Sequence, residues 1–254
     1  MKTKSEETKA AGGAPRDFNK EAVTEGERLY SYDFDDLVRR FALRQFEPFL
    51  RPGAALELGC HEGGMSRLLV DRFPDLTVID AAAIALAQAR RVLPERVQFV
   101  LGTFEEVTLP RRYDSIFLIN VLEHVDDSVA ILKRAQDWLT DAGRLFLVVP
   151  NANAPSRQIA VRMGLIDHNQ AVTAVEARNG HRRTYALDTL GQDLRAAGLR
   201  IEDIGGLVFK GLANYQMDKA LAAGIISLEY LDGCFELGKA YPDLCASLFA
   251  VCAR

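Results

Sequence analysis

Apolar residues fall in short unbroken runs, which alternate with stretches whose apolar positions recur every third or fourth residue. The runs Ala54-Ala55-Leu56-Glu57-Leu58, Leu76-Thr77-Val78-Ile79, Val97–Leu101, Tyr113–Asn120 and Arg144–Val149 read as strands. Within the fourth, Ile116-Phe117-Leu118-Ile119 has no polar break, the pattern of a parallel strand covered on both faces. Between the runs, Met65, Leu68, Leu69 and Phe73 keep helical spacing, and the alanine-rich stretch Ala81–Leu93 is stopped by Pro94. Asp126–Thr140 places Ile131, Leu132, Ala135, Trp138 and Leu139 on one helical side, and Asp141-Ala142-Gly143 turns it into the fifth strand. Ahead of the first strand, Leu37, Phe41 and Phe46 share one side of a helix ending by Pro52-Gly53. Strand and helix alternating in this way predict a doubly wound α/β fold with a parallel sheet and right-handed crossovers.

After Pro150 the rhythm breaks. Residues 151–185 are rich in Asn, Pro, His and Arg, and a stretch of that length inside a domain predicts a lid or binding loop. The pattern resumes with a helix at Leu187–Ala197 closed by Gly198, a strand around Leu199–Val208, a mostly helical stretch Tyr215–Lys239 and a final strand Leu244–Ala253. The expected organisation is a disordered tail at 1–15, a helical cap at 16–52 and one large domain at 53–254. That domain carries an insertion at 151–185 and a helical excursion at 215–240.

The glycine turn Gly59-Cys60-His61-Glu62-Gly63-Gly64 joins the first strand to a helix whose leading N–H groups are free to cradle a small molecule. Asp80 stands 21 positions after Gly59 and closes the second strand, where doubly wound sheets grip a ribose. Turn and acid together predict a nucleoside site. A nicotinamide dehydrogenase is the rival, but its G-x-G-x-x-G pattern needs glycine at position 61, where this chain has His61, and a second nucleotide-binding half is missing.

Composition narrows the partners. With 254 residues and 48% apolar content the chain can bury one large core, and a net charge of −4 argues against a nucleic-acid partner. Cys60, Cys234, Cys245 and Cys252 form no C-x-x-C pair, so neither zinc nor a disulfide framework is expected. Met1–Ala14 lacks the apolar core of a signal peptide and no run reaches membrane-spanning length, so a cytoplasmic protein is expected.

These elements resemble the class I S-adenosylmethionine-dependent methyltransferases over roughly residues 35–254. The resemblance rests on Leu56-Glu57-Leu58-Gly59-Cys60-His61-Glu62-Gly63, on Asp80, on Val121-Leu122-Glu123-His124-Val125 and on the closing strand Ser247–Cys252. It implies a mostly parallel, seven-stranded sheet with an antiparallel last strand, and S-adenosyl-L-methionine as cofactor. It further implies that Gly59 and Gly63, with Cys60 and His61 between them, cradle the cofactor, while Glu57 anchors the turn or the amino group. Asp80, with Ala81 beside it, takes the ribose hydroxyls; Thr103 and Phe104 lie by the adenine, and Asn120 faces the sulfonium. His61 departs from the family, which usually has glycine there, so its side chain either points away from the cofactor or helps to bind it.

His124, at the carboxyl edge after the fourth strand, and His181, in Gly180-His181-Arg182-Arg183-Thr184-Tyr185, are the catalytic candidates. Either is the base with the other as orienter, or His124 only orders its loop. Glu123 ties down the turn or, as in some relatives, joins a metal site; with no second clear acid, no metal is assigned. His168 reads as a surface residue. Tyr32, Asn151, Asn153, Arg157, Arg182 and Tyr185 are the candidates for binding the acceptor, and Tyr30 and Tyr32 either close over the cofactor or simply pack. Arg157, Arg182, Arg183 and Lys210 would suit a polar, even anionic, acceptor. Ile225–Tyr241 walls the acceptor site, forms a homodimer face or is core. The expected activity is methylation of a hydroxyl or amine on a small polar metabolite, such as a sugar, natural-product or polysaccharide precursor. The alternative is a cofactor-binding module without catalysis.

Overall fold

The computed structural model describes residues 16–22 and 32–254; the expected tail at 1–15 and Tyr30 lie outside the described residues. The strands are β1 (Ala55–Leu58), β2 (Leu76–Asp80), β3 (Gln98–Leu101), β4 (Tyr113–Ile119), β5 (Leu139–Pro150), β6 (Arg200–Phe209) and β7 (Cys245–Ala253). They form one sheet in the order β3-β2-β1-β4-β5-β7-β6. Every pair from β3 to β5 is parallel, and β7 runs antiparallel to both β5 and β6. Strand order reverses between β1 and β4, so loops diverge there and leave a crevice at the carboxyl edge.

Ten α-helices are described: α1 (Phe18–Ala22), α2 (Asp33–Phe46), α3 (Ser66–Leu69), α4 (Ala83–Val92), α5 (Ser128–Trp138), α6 (Pro155–Arg162), α7 (Ala174–Arg178), α8 (Leu187–Ala196), α9 (Asn214–Ala222) and α10 (Leu228–Ala240). None is long and apolar enough to cross a membrane. The regular helix after the glycine turn is short, but the Arg72 and Phe73 N–H groups donate to the Leu69 carbonyl and carry its turns on to Phe73, where Pro74 ends them. The expected turn Asp141–Gly143 falls within the span of β5, where the pairing jumps from Tyr113–Leu139 to Ser115–Arg144.

Side-chain alternation along the central strands builds two cores. Phe117, Phe146 and Phe249 face α2 and α10, while Ile116, Leu118, Leu145 and Leu147 face α5 and α8. Phe117 stacks on Phe146 with ring centroids 4.8 Å apart, and Phe73 meets Phe117 edge-on at 5.7 Å. This aromatic floor fixes β4 against β5, and through β4 the loop that follows it.

Candidate functional site

Gly59 leaves β1 with φ +76°, and a Cβ there would lie 2.5 Å from Val121 Cγ2. Glycine is therefore required twice over, by conformation and by the close approach of the Val121 loop. Gly63 also needs its left-handed backbone, at φ +85°, but it packs toward Ala89 and Leu93 of α4 and does not line the cavity described below. Here the expectation is corrected: Gly63 shapes the turn from behind.

His61 adopts φ 46° without being glycine. Its backbone N–H donates to Asp80 Oδ2 at 2.8 Å, and its ring Nε2 lies 3.2 Å from the Ala22 carbonyl of α1. The side chain thus reaches across to the amino-terminal segment. Asp80 also accepts from the Ala82 N–H at 2.8 Å, so both carboxylate oxygens are fixed while each keeps capacity for a further donor. Burial raises its pKa, against the pull of those backbone donors.

Glu57 is buried in β1, accepts from Ser66 Oγ at the start of α3, and is pushed up to about 7 by burial. Of the two roles expected of it, it has the contact that anchors the turn. Cys60 lines the cavity as a buried thiol whose pKa burial drives well above the usual range, so it is inert. Phe104 lies 3.7 Å from the position of a Gly59 Cβ, and its carbonyl accepts from Arg134 Nε at 2.6 Å. Asn120 ends β4 at φ 54°, a conformation asparagine tolerates, and its N–H donates to Val148. Ala81, Thr103, Phe104 and Asn120 all line the same cavity.

At the far side of the edge, Glu123, His124 and His181 converge. The His124 and His181 rings meet edge-on with centroids 4.5 Å apart, and the Arg182 N–H donates to the Glu123 carbonyl at 2.7 Å, stitching the two loops together. Glu123 is fully buried with neither carboxylate oxygen bonded, and burial pushes it up to about 8. Burial likewise lowers His124 to about 3, helped by His181 and by the charges of Arg16 and Arg182, and opposed by a bond with the Asn179 backbone. Burial also lowers His181, with Glu176 opposing. Both imidazoles are therefore neutral at pH 7. Ligand atoms of the three residues lie within 4.8 Å of one another, close enough for a divalent ion to draw together, and no further acid belongs to the group among the described residues.

The acceptor residues expected in the insertion are corrected by the structure. Asn151 is buried, and its amide donates to the Asp243 and Cys245 carbonyls at 2.9 and 2.8 Å. It forms a parallel bridge with Tyr185, whose hydroxyl donates to Asp193 at 3.0 Å, so the two residues clamp the base of the insertion. Asn153 donates to the Asp243 carboxylate, and Arg157 is held by Glu176 and by the Asn169 and Ala171 carbonyls. Arg182 pairs with Asp126, Arg183 bonds the Ser128 hydroxyl, and Lys210 is buried against the Leu212 carbonyl. None of these lines the cavity. An insertion of this length has many carbonyls of its own to satisfy, and these donors serve it.

Of the six acceptor candidates, Tyr32 does line the cavity, at the start of α2. Sequence reasoning missed Asp35, Asn179, Asn214 and the amino-terminal segment, and read Arg39-Arg40 as a solvated face or an anion contact. Arg39 on α2 lies against Gly64, where a Cβ would be 3.0 Å from its guanidinium, and pairs with Asp36. Its charge-rich turn reads like a solvated face, and nothing local separates it from exposed Arg40. Arg16 donates to Glu21 and to the His124 carbonyl, and Asn19 accepts from the Ile84 N–H, so residues 16–22 strap the cavity.

The glycine turn, Asp80, Tyr32, Arg39, Arg16 and the Glu123–His124–His181 cluster enclose one cavity of about 490 Å³, large enough for a nucleoside-sized cofactor with a small acceptor beside it. The cradle at Gly59 and the doubly anchored Asp80 fit S-adenosylmethionine: Asp80 for the ribose, Phe104 and Thr103 beside the base, and the turn with Arg39 for the amino-acid end.

Residues 27–204 match the family described as a methyltransferase domain. The chain belongs to the class I S-adenosylmethionine-dependent methyltransferases. The trans-aconitate 2-methyltransferase of Rhodopseudomonas palustris (strain HaA2) is 35% identical over 112 residues, which span 43% of this chain and 43% of that protein. A ubiquinone biosynthesis O-methyltransferase of Pseudomonas aeruginosa (strain UCBPP-PA14) is 27% identical over 169 residues, 63% of this chain and 70% of its own length. The match thus spans less than half of the first relative. Among solved structures, the N-methyltransferase NodS of Bradyrhizobium japonicum WM9, in complex with S-adenosyl-L-homocysteine, superposes with a TM-score of 0.58 at 16% identity. It covers 92% of this chain and 94% of that one, a likeness of fold.

Proposed function

We propose that the chain transfers a methyl group from S-adenosylmethionine to a hydroxyl or amine of a small polar metabolite. The observation that carries this is the meeting, in one cavity, of the Asp80–glycine-turn cradle with the cluster of buried Glu123 and half-buried His124 and His181. The bound cofactor supplies a methyl on a positively charged sulfur, open to in-line displacement. Asp80, Glu57 and Arg39 hold and orient it. The strap at residues 16–22 excludes water, which otherwise competes for the methyl group. The acceptor's proton passes to this cluster, whose free atoms are His181 Nδ1 and the carboxylate of Glu123 in its ionised form, while His124, bonded to the Asn179 backbone, sets the angle of the His181 ring.

The exposed face of Ile225, Leu228 and Tyr241 is the candidate homodimer contact, whereas Leu231 and Phe235 of the same stretch are core. A cytoplasmic location remains part of the proposal, as does the absence of a nucleic-acid partner, which the net charge of −4 supports. The test is incubation with methyl-labelled S-adenosylmethionine and a metabolite extract, beside calorimetric titration with S-adenosylhomocysteine. Label should move into a small molecule. Binding without any label transfer would favour the non-catalytic module.

A further inference from the structure

Among the described residues, four buried side-chain polar atoms have no hydrogen-bond partner: both carboxylate oxygens of Glu123, Asn179 Oδ1 and His181 Nδ1. Their three residues line the same cavity. Buried polar atoms are nearly always paired, so orphans on three residues of one cavity, two of them within 4.8 Å of each other, mark the place where a ligand supplies the missing partners. With the His181 proton on Nε2, Nδ1 and Asn179 Oδ1 only accept; burial keeps a proton on Glu123 in the empty site, and an incoming cation ionises it, so that all four atoms then accept and none donates.

That inventory separates the acceptor chemistries left open above. A hydroxyl brings one hydrogen and leaves most of the cluster unpaired. A carboxylate brings none and sets charge against charge. A primary ammonium brings three. Charge points the same way: among the described residues, nine carboxyl side chains and three guanidiniums line the cavity. Three of those acids are already paired, Glu21 with Arg16, Asp36 with Arg39 and Glu176 with Arg157, which leaves six carboxyls against one guanidinium.

Building on the proposed methyl transfer, we infer that the acceptor atom is the nitrogen of a primary amine, received as its ammonium by Glu123, Asn179 and His181. The ammonium gives one proton to the Glu123 carboxylate. The freed nitrogen lone pair forms the N–C bond as the S–C bond breaks, the sulfur departs as a neutral sulfide, and the product is a secondary methylammonium. The two remaining N–H groups stay on Asn179 Oδ1 and His181 Nδ1. Glu123 suits the exchange: burial favours its protonated form, and an incoming cation favours the ionised one.

The test compares label transfer from methyl-labelled S-adenosylmethionine into a microbial metabolite extract before and after its amines are capped with N-hydroxysuccinimidyl acetate, which spares alcohols. Capping should abolish transfer. Undiminished transfer into the capped extract overturns the amine assignment and leaves methyl transfer standing; no transfer into either extract, with S-adenosylhomocysteine still bound, overturns both. E123Q should cut transfer by about 10²–10³-fold and keep S-adenosylhomocysteine affinity within about twofold. Unchanged transfer by E123Q counts against the proposal. So does tight binding of Mn²⁺ alone to the wild type, read by electron paramagnetic resonance and lost in H181A, because it would give the cluster to a cation.

Discussion

The carboxyl edge of β1 and β2 and the insertion at 151–185 are both built from motifs that look like binding sites, and they turn out differently. At the edge, chemistry is written into the backbone: Gly59 at φ +76°, His61 at φ 46°, and two main-chain donors that fix Asp80. In the insertion, the eye-catching donors Asn151, Asn153 and Arg157 bond the carbonyls and acids of the surrounding chain. A side chain's capacity to bind a ligand says little until the demands of its own backbone are met. A backbone conformation only glycine favours says more.

The sharpest way to break that comparison is G59A. A methyl group at φ +76° and 2.5 Å from Val121 combines left-handed strain with overpacking. We expect about 3 kcal/mol of destabilisation. Any folded fraction should bind S-adenosylhomocysteine about 100-fold more weakly by calorimetry. N151A should do the opposite, losing about 1–3 kcal/mol of stability in denaturant titration because the Asp243 and Cys245 carbonyls lose their donor. The folded N151A should keep its cofactor affinity; a selective loss of affinity would return Asn151 to the site.

Smaller effects come from the buried cluster and are read as pH dependence. His124 lies at about 3 in the folded protein against the usual 6.5, so its contribution to stability is full above pH 6.5 and is lost as pH falls toward 3. Glu123 lies at about 8 against 4.5, so its contribution is full below pH 4.5 and is lost as pH rises through 8. Thermal melts should show H124Q flattening the acid limb and E123Q the alkaline one. Parallel curves for wild type and both variants would contradict the burial of these groups.

The alternation of runs was legible because parallel strands are apolar on both faces, and the strands from β1 to β4 lie within a residue of their expected bounds. The cofactor edge was legible because strand, turn and acid are local and their spacing is set by the fold. What escaped was non-local. Arg39 reaches Gly64 from a helix before the sheet begins, and Asn179 joins the cluster only because the loop at 180–182 is stitched onto the loop after β4. The role of Glu123 could not be read either: what marks it in the fold is the absence of a partner, which no pattern along a chain records.

The central claim, that a nucleoside cofactor is gripped at the doubly anchored acid closing β2, is tested most directly by titrating wild type and D80N with S-adenosylhomocysteine in a calorimeter. The wild type should bind one equivalent. D80N should lose about 1–3 kcal/mol of stability, because its amide NH2 faces one of the two backbone donors, and its folded fraction should lose about 10–100-fold in affinity, the worth of hydrogen bonds to a charged acceptor. Equal affinity in the two proteins, or no heat from the wild type, would contradict the account.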